Sequence, residues 1–155
     1  YTEDNSYDIL TKELMKREDH IKDTYLLLNK KFPFFDTTPA NSISLINVNS
    51  IHDFENKINK SIELERFRGN IYVNDLEPWE EFNFIGKNIF INDCQFKVIG
   101  AIPRCSATNL VPNLTNIDIN LPHKLRVTYN HINMGIYLTP LNEGEIEIND
   151  KIMIE

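Results

Sequence analysis

One cysteine lies among residues that favour thiol chemistry. The segment Ile102–Asn109 reads IPRCSATN, so Cys105 directly follows an arginine and precedes small hydroxyl side chains. A neighbouring guanidinium favours the thiolate, which is the form of cysteine that attacks electrophiles and binds soft metals. The alternative is a buried, inert cysteine on a strand, which is the commoner case for a lone cysteine. Cys94, beside an alternating apolar segment, fits that alternative better.

A second segment with chemical potential is Arg66–Asn70, which reads RFRGN. The planar guanidinium of an arginine can bind a phosphate or a carboxylate through two parallel hydrogen bonds. Gly69 permits a tight turn or the close approach of a ligand, and Asn70 offers both a donor and an acceptor. The alternative is a pair of surface arginines whose aliphatic stems cover apolar area, and the spacing alone favours it.

Other catalytic or metal-binding arrangements receive less support from the sequence. A zinc site would combine two cysteines with two histidines: Cys94, Cys105, His123 and His131. Ten residues separate the cysteines and seven separate the histidines, and neither spacing matches the short-range ligand pairs of zinc sites. The acidic segment 77–81 is interpreted as a turn at a proline with Trp79 in the core, rather than as a carboxylate cluster. The sequence contains no nucleophile elbow, P-loop or dinucleotide-binding glycine motif.

Composition limits the classes of function. The chain has 155 residues and a net charge of −7, which disfavours a nucleic-acid binder with its concentrated basic face. Hydrophobic residues make up 41% of the chain and charged residues 25%, as is typical of a folded domain with a sizeable core. No apolar run approaches the roughly 20 residues needed to cross a bilayer, and two cysteines are too few for a disulfide framework. We therefore expect a cytoplasmic domain without membrane or nucleic-acid partners.

The elements that must position these residues are mostly short strands. Residues 4–30 are predicted to begin as a helix and to include a short strand at Thr24–Leu28. Further strands are predicted between turn signals at Ser42–Leu45, Asn70–Val73, Asn88–Ile91, Gln95–Ile99, Met134–Thr139, Glu145–Ile148 and Lys151–Ile154. One helix is predicted after Ser50 as its N-cap, and another over Leu121–Tyr129. Many short strands and few helices predict a mainly β (α+β) fold that forms a closed or nearly closed β-barrel.

Three segments of the chain resemble, in order and spacing, the MOSC domain found at the C-terminus of molybdenum cofactor sulfurase and in the amidoxime-reducing component. They read RFRGNIYVNDLEPWEEF, IPRCSATNLVP and INMGIYLTPLNEGEIEINDKI. The preceding segment DTTPANSISLINVNSI is similar to the lead-in of bacterial, particularly alphaproteobacterial, MOSC proteins. The resemblance extends from about Phe35 to Ile154. It implies a MOSC domain over residues 35–155, and residues 1–34 are interpreted as a leader, the tail of a missing N-terminal barrel region.

The resemblance implies a MOSC-type β-barrel with a few short helices that binds a molybdopterin-type molybdenum cofactor. The motif cysteine, which ligates molybdenum or carries transferable sulfur in the sulfurase, falls on Cys105. The family's cofactor-binding positions fall on Arg68, Asn70 and Tyr137 and, in the lead-in, among Thr37, Thr38, Asn41 and Ser42. Arg104, beside the motif cysteine, is expected to contact the cofactor and to favour the thiolate electrostatically.

Three functions remain open from the sequence. The first is a molybdenum-dependent oxidoreductase that reduces N-hydroxylated or N-oxide-type compounds, with Cys105 as the molybdenum ligand. Its electrons would come from an external electron-donor redox protein, because the chain has no flavin, nicotinamide or iron–sulfur motif. The second is sulfur transfer with a persulfide on Cys105, and the third is a non-catalytic carrier of the cofactor. The missing N-terminal segment is expected to act as a partner, because it supplies part of the family's basic cofactor clamp.

Overall fold

The computed structural model describes residues 42–112 and 117–154. Six strands form one curled β-sheet: β1 (Ile43–Asn47), β2 (Ile71–Val73), β3 (Asn88–Ile91), β4 (Cys94–Pro103), β5 (Asn133–Pro140) and β6 (Ile152–Ile154). Their order across the sheet is β2-β1-β5-β4-β3-β6. β1 and β2 run parallel, whereas the other neighbouring strands run antiparallel. The predicted mainly β, barrel-like fold is confirmed.

Two α-helices lie in the described part of the chain, α1 (Val48–Ile58) and α2 (Leu121–Tyr129). The predicted limits of α2 are confirmed, and Asn120 caps its first turn by accepting a hydrogen bond from a backbone amide. The N-cap of α1 is Asn47, so the prediction of Ser50 as the cap is wrong. The Asn47 side chain ends β1 and caps the helix that follows at once, which leaves Ser50 buried in the first turn.

The strand predictions hold where a neighbouring strand supplies backbone partners. β4 is longer than predicted because it pairs with β3 along one edge and with β5 along the other. Glu145–Ile148, which was predicted as a strand, is irregular, and Ile148 is 92% exposed. Alternation of apolar residues indicates a face that could be buried, but it does not provide a neighbouring strand for the backbone hydrogen bonds. The predicted helix and strand within residues 4–30 lie outside the described residues.

An apolar cluster lies on each face of the sheet, because successive residues of a strand point to opposite sides. Leu45 belongs to one cluster and Ile46 to the other, and both are fully buried. The helices contribute Phe54 and Leu125 to the cluster that contains Ile46. Cys94 is 4% exposed in the other cluster, as expected for a cysteine that serves packing.

β5 approaches β1 so closely that one position of β5 has no room for a side chain. Gly135 has a φ of +78°, and a Cβ atom there would lie 2.5 Å from both the carbonyl oxygen of Leu45 and the Cδ1 atom of Ile46. A left-handed backbone conformation is itself unfavourable for residues other than glycine. Both the conformation and the contact therefore require glycine, which sets the distance between these strands.

We expect Gly135→Ala to lower the free energy of unfolding by about 2–4 kcal/mol, because backbone strain and a steric clash add at this position. Gly100→Ala is the matched control, since its Cβ would meet nothing within 4 Å. That control should change stability by no more than about 0.5 kcal/mol. Urea denaturation of both variants measures the difference, and equal stabilities would contradict the packing described here.

A buried carboxyl group connects the junction of β1 and α1 to the 3₁₀ turn Glu80–Phe84. The Glu81 side chain is fully buried and accepts hydrogen bonds of 2.9 Å from Asn47 Nδ2 and from the Ser50 hydroxyl. Among the described residues it has no ion-pair partner, and burial raises its pKa above the ordinary value of about 4.5. The interpretation of segment 77–81 as a turn therefore holds. Trp79 is half-buried and packs against the cluster that contains Ile46, and Glu81 is fully buried beside it.

The raised pKa predicts a pH dependence of stability. The folded protein holds the Glu81 proton more tightly than the unfolded chain, so this group stabilises the fold at pH values below about 4.5. That contribution is lost as the pH rises through the raised pKa of the folded state. Comparison of the wild type with Glu81→Gln by urea denaturation from pH 4 to pH 8 isolates the effect. We expect wild-type stability to fall relative to the variant as pH rises, and parallel curves would refute this.

Candidate functional site

The two arginines of the RFRGN segment have different environments. Arg66 is 3% exposed, and its guanidinium donates hydrogen bonds to Glu63 Oε2 at 2.5 Å and to Asp118 Oδ1 at 2.8 Å. A third bond of 3.0 Å goes to the carbonyl oxygen of Asn109. Burial acts to lower the pKa of Arg66, but the bonds to the two carboxylates outweigh it and raise the pKa. The interpretation as a surface arginine pair is therefore wrong for Arg66, which joins distant segments of the fold.

Arg68, by contrast, is exposed at a turn of the backbone. It follows the 3₁₀ turn Leu64–Phe67 and adopts a left-handed conformation with a φ of 49° and a ψ of 45°. Its amide bonds back to the carbonyl oxygen of Glu65 at 3.0 Å. Within residues 42–112 and 117–154, no hydrogen bond or ion pair engages the Arg68 guanidinium, which leaves this planar group available to an anion.

Asn70 attaches this loop to the first strand. Its Oδ1 atom accepts hydrogen bonds from the amide of Ser44 at 2.9 Å and from the Ser44 hydroxyl at 2.8 Å. The Asn70 amide donates to the carbonyl oxygen of Ser44 at 3.1 Å. Ser44 in turn lies opposite Tyr137 in the register of β1 and β5. With Oδ1 occupied in this way, the Nδ2 group of Asn70 is the part of its amide that remains for a ligand.

Arg104 connects the same loop to β5. Its Nη1 atom donates to the carbonyl oxygen of Phe67 at 2.8 Å, and its Nε atom donates to that of Met134 at 2.9 Å. Nη2 also donates to the Met134 carbonyl oxygen. The predicted contact of Arg104 with the cofactor stays a prediction, but the structure commits these three nitrogens to backbone carbonyls. Arg104 would therefore act on an anion mainly through its charge.

That charge is buried, with Arg104 8% exposed. Burial lowers the pKa of Arg104 to about 10. Three side chains lie within electrostatic reach and oppose that lowering: Tyr137, Tyr72 and Cys105. In the described residues no carboxylate forms an ion pair with Arg104, in contrast to Arg66 with its two acidic partners. A buried cation without a carboxylate partner favours the binding of an anion nearby.

Cys105 is exposed two residues after the end of β4. Its carbonyl oxygen accepts bonds from the amide and hydroxyl of Thr108, at 3.2 and 2.9 Å, which turns the chain into the 3₁₀ segment Ser106–Asn109. Cys94 begins the same strand, on the order of 30 Å away for a strand of this length. The two cysteines therefore cannot share a metal. In the part of the chain that the structure describes, no three His, Cys, Asp or Glu side chains could together hold a metal ion.

The structure thus groups several of the predicted site residues around the end of β4. We refer to them as the thiol–arginine site: Arg68, Asn70, Arg104, Cys105 and Tyr137. Sequence reasoning missed Ser44 and Tyr72, although a polar residue between the apolar Ile43 and Leu45 was a usable signal for Ser44. Ser42 lies just before β1 and is 9% exposed. The other lead-in residues, Thr37, Thr38 and Asn41, lie outside the described residues, and their roles stay predictions.

Comparison with known proteins shows the family of this chain. The MOSC domain matches residues 35–153. The chain belongs to the MOSC domain family. It is therefore a molybdenum-cofactor-associated domain. Residues 35–153 of this chain, which match the MOSC domain, include the whole thiol–arginine site.

A curated relative of this MOSC domain is mitochondrial amidoxime reducing component 2 of Rattus norvegicus, which is 29% identical over 119 residues. The match covers 77% of this chain and 32% of the relative, so the chain spans about a third of that protein's length. Among the described residues of the MOSC domain, none of the helices has the length and apolar character to span a membrane.

The contrast between the two arginines predicts opposite tolerance to lysine. Arg66→Lys should lower the free energy of unfolding by about 2–4 kcal/mol, because one ammonium group cannot replace three guanidinium bonds in a buried position. Arg68→Lys serves as the matched variant and should change stability by no more than about 0.5 kcal/mol, because its side chain is exposed. Chemical denaturation of both variants tests this, and an equal loss in both would show that the two environments are not distinct.

Proposed function

We propose that this MOSC domain binds a molybdopterin-type molybdenum cofactor and forms part of an oxidoreductase for N-hydroxylated or N-oxide-type compounds. The observation that carries the proposal is the exposed thiol of Cys105 directly after Arg104, a buried cation without a carboxylate partner among the described residues. A soft sulfur ligand suits molybdenum, and an uncompensated positive charge suits an anionic cofactor.

The side chains around the thiol fit the chemistry of such a cofactor. Arg68 presents an exposed guanidinium that can bind a phosphate through two hydrogen bonds. No described residue bonds to the Nδ2 donor of Asn70, and Tyr137 lies within electrostatic reach of Arg104. The overall charge of −7 does not oppose this assignment, because a local basic group controls binding at short range.

Each residue then has a distinct role in the proposed site. Cys105 supplies the one protein ligand to the metal, and Arg68 holds the phosphate of the cofactor. Arg104 fixes the end of β4 against the RFRGN loop and β5, so it sets the distance between the thiol and Arg68. When bound, the cofactor supplies the two-electron redox chemistry of molybdenum.

The substrate class rests on the relative, whose name describes amidoxime reduction. Reduction of an N–OH group to N–H consumes two electrons and two protons and releases water. The sequence contains no flavin, nicotinamide or iron–sulfur motif, so we propose that an external redox protein delivers the electrons. The chain spans about a third of the relative, so further parts of the cofactor site could come from a segment outside this sequence.

Sulfur transfer is the second candidate, and the exposure of the Cys105 thiol favours it as well. A persulfide on Cys105 would need an accessible sulfur atom and a partner that supplies sulfur, because the chain lacks a desulfurase module. The two functions leave different marks on the purified protein. Stoichiometric molybdenum with turnover of a hydroxylamine-type substrate indicates the oxidoreductase, whereas sulfane sulfur that cyanide releases from Cys105 indicates transfer.

We expect Cys105→Ser to abolish turnover of a hydroxylamine-type substrate and to lower the molybdenum content, because a hydroxyl is a harder and weaker ligand for this metal. The protein would be purified from cells that make the cofactor, with metal measured by mass spectrometry. Cys94→Ser is the matched control and should mainly reduce stability, because Cys94 is a packing residue. Wild-type turnover and molybdenum content in Cys105→Ser would rule out the ligand assignment.

A further inference from the structure

The loop that carries Arg68 holds a conformation that its sequence does not favour. Arg68 has a φ of 49°, a left-handed conformation that is rare for residues with a bulky side chain. Gly69, which tolerates that conformation without cost, is the next residue rather than this one. Such a conformation persists when surrounding contacts impose it, and it is often found where a side chain must be aimed at a ligand.

Tyr72 supplies contacts on both sides of Arg68. Its hydroxyl accepts a hydrogen bond of 2.9 Å from the amide of Gly69 and donates one of 3.1 Å to the carbonyl oxygen of Leu64. Its ring lies against the backbone at Gly69, where a Cβ atom would be 2.9 Å from Tyr72 Cζ. One side chain on β2 therefore bridges the start of the 3₁₀ turn and the residue just after Arg68.

The ends of the loop are already attached to the sheet by other residues. Arg104 binds the carbonyl oxygen of Phe67, and Ser44 binds Asn70 through its backbone and side chain. These contacts attach the two ends of the loop to the sheet. The amide of Gly69, between those ends, donates its hydrogen bond to Tyr72. The Tyr72 hydroxyl donates its one hydrogen bond to the carbonyl oxygen of Leu64, so it is suited to hold the loop rather than to donate to a ligand.

We infer that Tyr72 is a positioning residue for Arg68: it holds the strained loop so that the guanidinium is preorganised for the anionic group of the cofactor. This inference rests on the proposed function, because the anionic group is that of the proposed cofactor. Preorganisation raises affinity because the bound state then requires less ordering of the side chain and loop. Tyr72 and Arg104 hold the same short segment, Tyr72 through the amide of Gly69 and Arg104 through the carbonyl oxygen of Phe67.

The first experiment needs no cofactor. In Tyr72→Phe the Gly69 amide loses its acceptor, and we expect its hydrogen exchange, followed by NMR, to accelerate at least about tenfold. Tyr129→Phe is the matched control, because it removes a tyrosine hydroxyl bond to Asp53 away from this loop. Exchange at Gly69 should be unchanged in that control. Unchanged exchange in Tyr72→Phe would overturn the inference.

The second experiment is a double-mutant cycle on the affinity for isolated molybdenum cofactor, titrated into the cofactor-free protein. Tyr72→Phe should weaken binding about three- to tenfold, as expected for the loss of organising hydrogen bonds. Arg68→Ala should weaken binding at least as much, and adding Tyr72→Phe to it should cause no further loss, because the side chain being positioned is absent. Tyr129→Phe should bind like the wild type.

The outcomes distinguish this inference from the proposed function. Additive losses in the double variant, or wild-type affinity in Tyr72→Phe, would overturn the positioning role while the wild type still binds the cofactor. Absence of binding by the wild type would instead overturn the proposed function, and this inference with it. Accelerated exchange at Gly69 together with non-additive losses would support both.

Discussion

A buried guanidinium bonded to backbone carbonyls holds the thiol–arginine site together. Arg104 links the end of β4 to the last residue of the 3₁₀ turn Leu64–Phe67 and to the start of β5, through the carbonyl oxygens of Phe67 and Met134. Loss of this side chain would leave those carbonyls without partners in a buried region, which is costly. The position of the neighbouring Cys105 relative to the loop depends on these bonds.

The same interaction explains how an acidic chain can present a basic site. Arg66 and Arg104 are both buried, but carboxylates neutralise Arg66, whereas backbone oxygens surround Arg104 and carry no full charge. The two buried arginines therefore differ in role. Arg66 joins segments of the fold, and Arg104 supplies a local positive charge. Exposed Arg68 adds a second positive charge on the segment that Arg104 holds, so the site can attract an anion although the net charge is −7.

Close contacts between backbone segments give the site its precision. Gly135 lets β5 approach β1, which places Tyr137 opposite Ser44, the residue that also anchors Asn70. The left-handed conformation at Arg68 is a second such constraint, and Tyr72 bonds to the chain on both sides of it, at Leu64 and Gly69. A change in either would move Tyr137, Asn70 or Arg68, because Ser44 contacts both β5 and the loop.

Local patterns in the sequence determined the mainly β character, the limits of α2 and the packing role of Cys94, because period-two alternation and capping residues act over a few positions. The MOSC motifs predict Cys105 and Arg68 as site residues, and this assignment stays a prediction, as does the leader at residues 1–34. Only the tertiary structure distinguished the buried environment of Arg66 from the exposed one of Arg68. It also assigned the N-cap of α1 to Asn47 and excluded a strand at Glu145–Ile148. It also brought in Ser44 and Tyr72. Those outcomes depend on partners distant in sequence, such as Asp118 for Arg66, and a local pattern contains no information about which distant group will be adjacent.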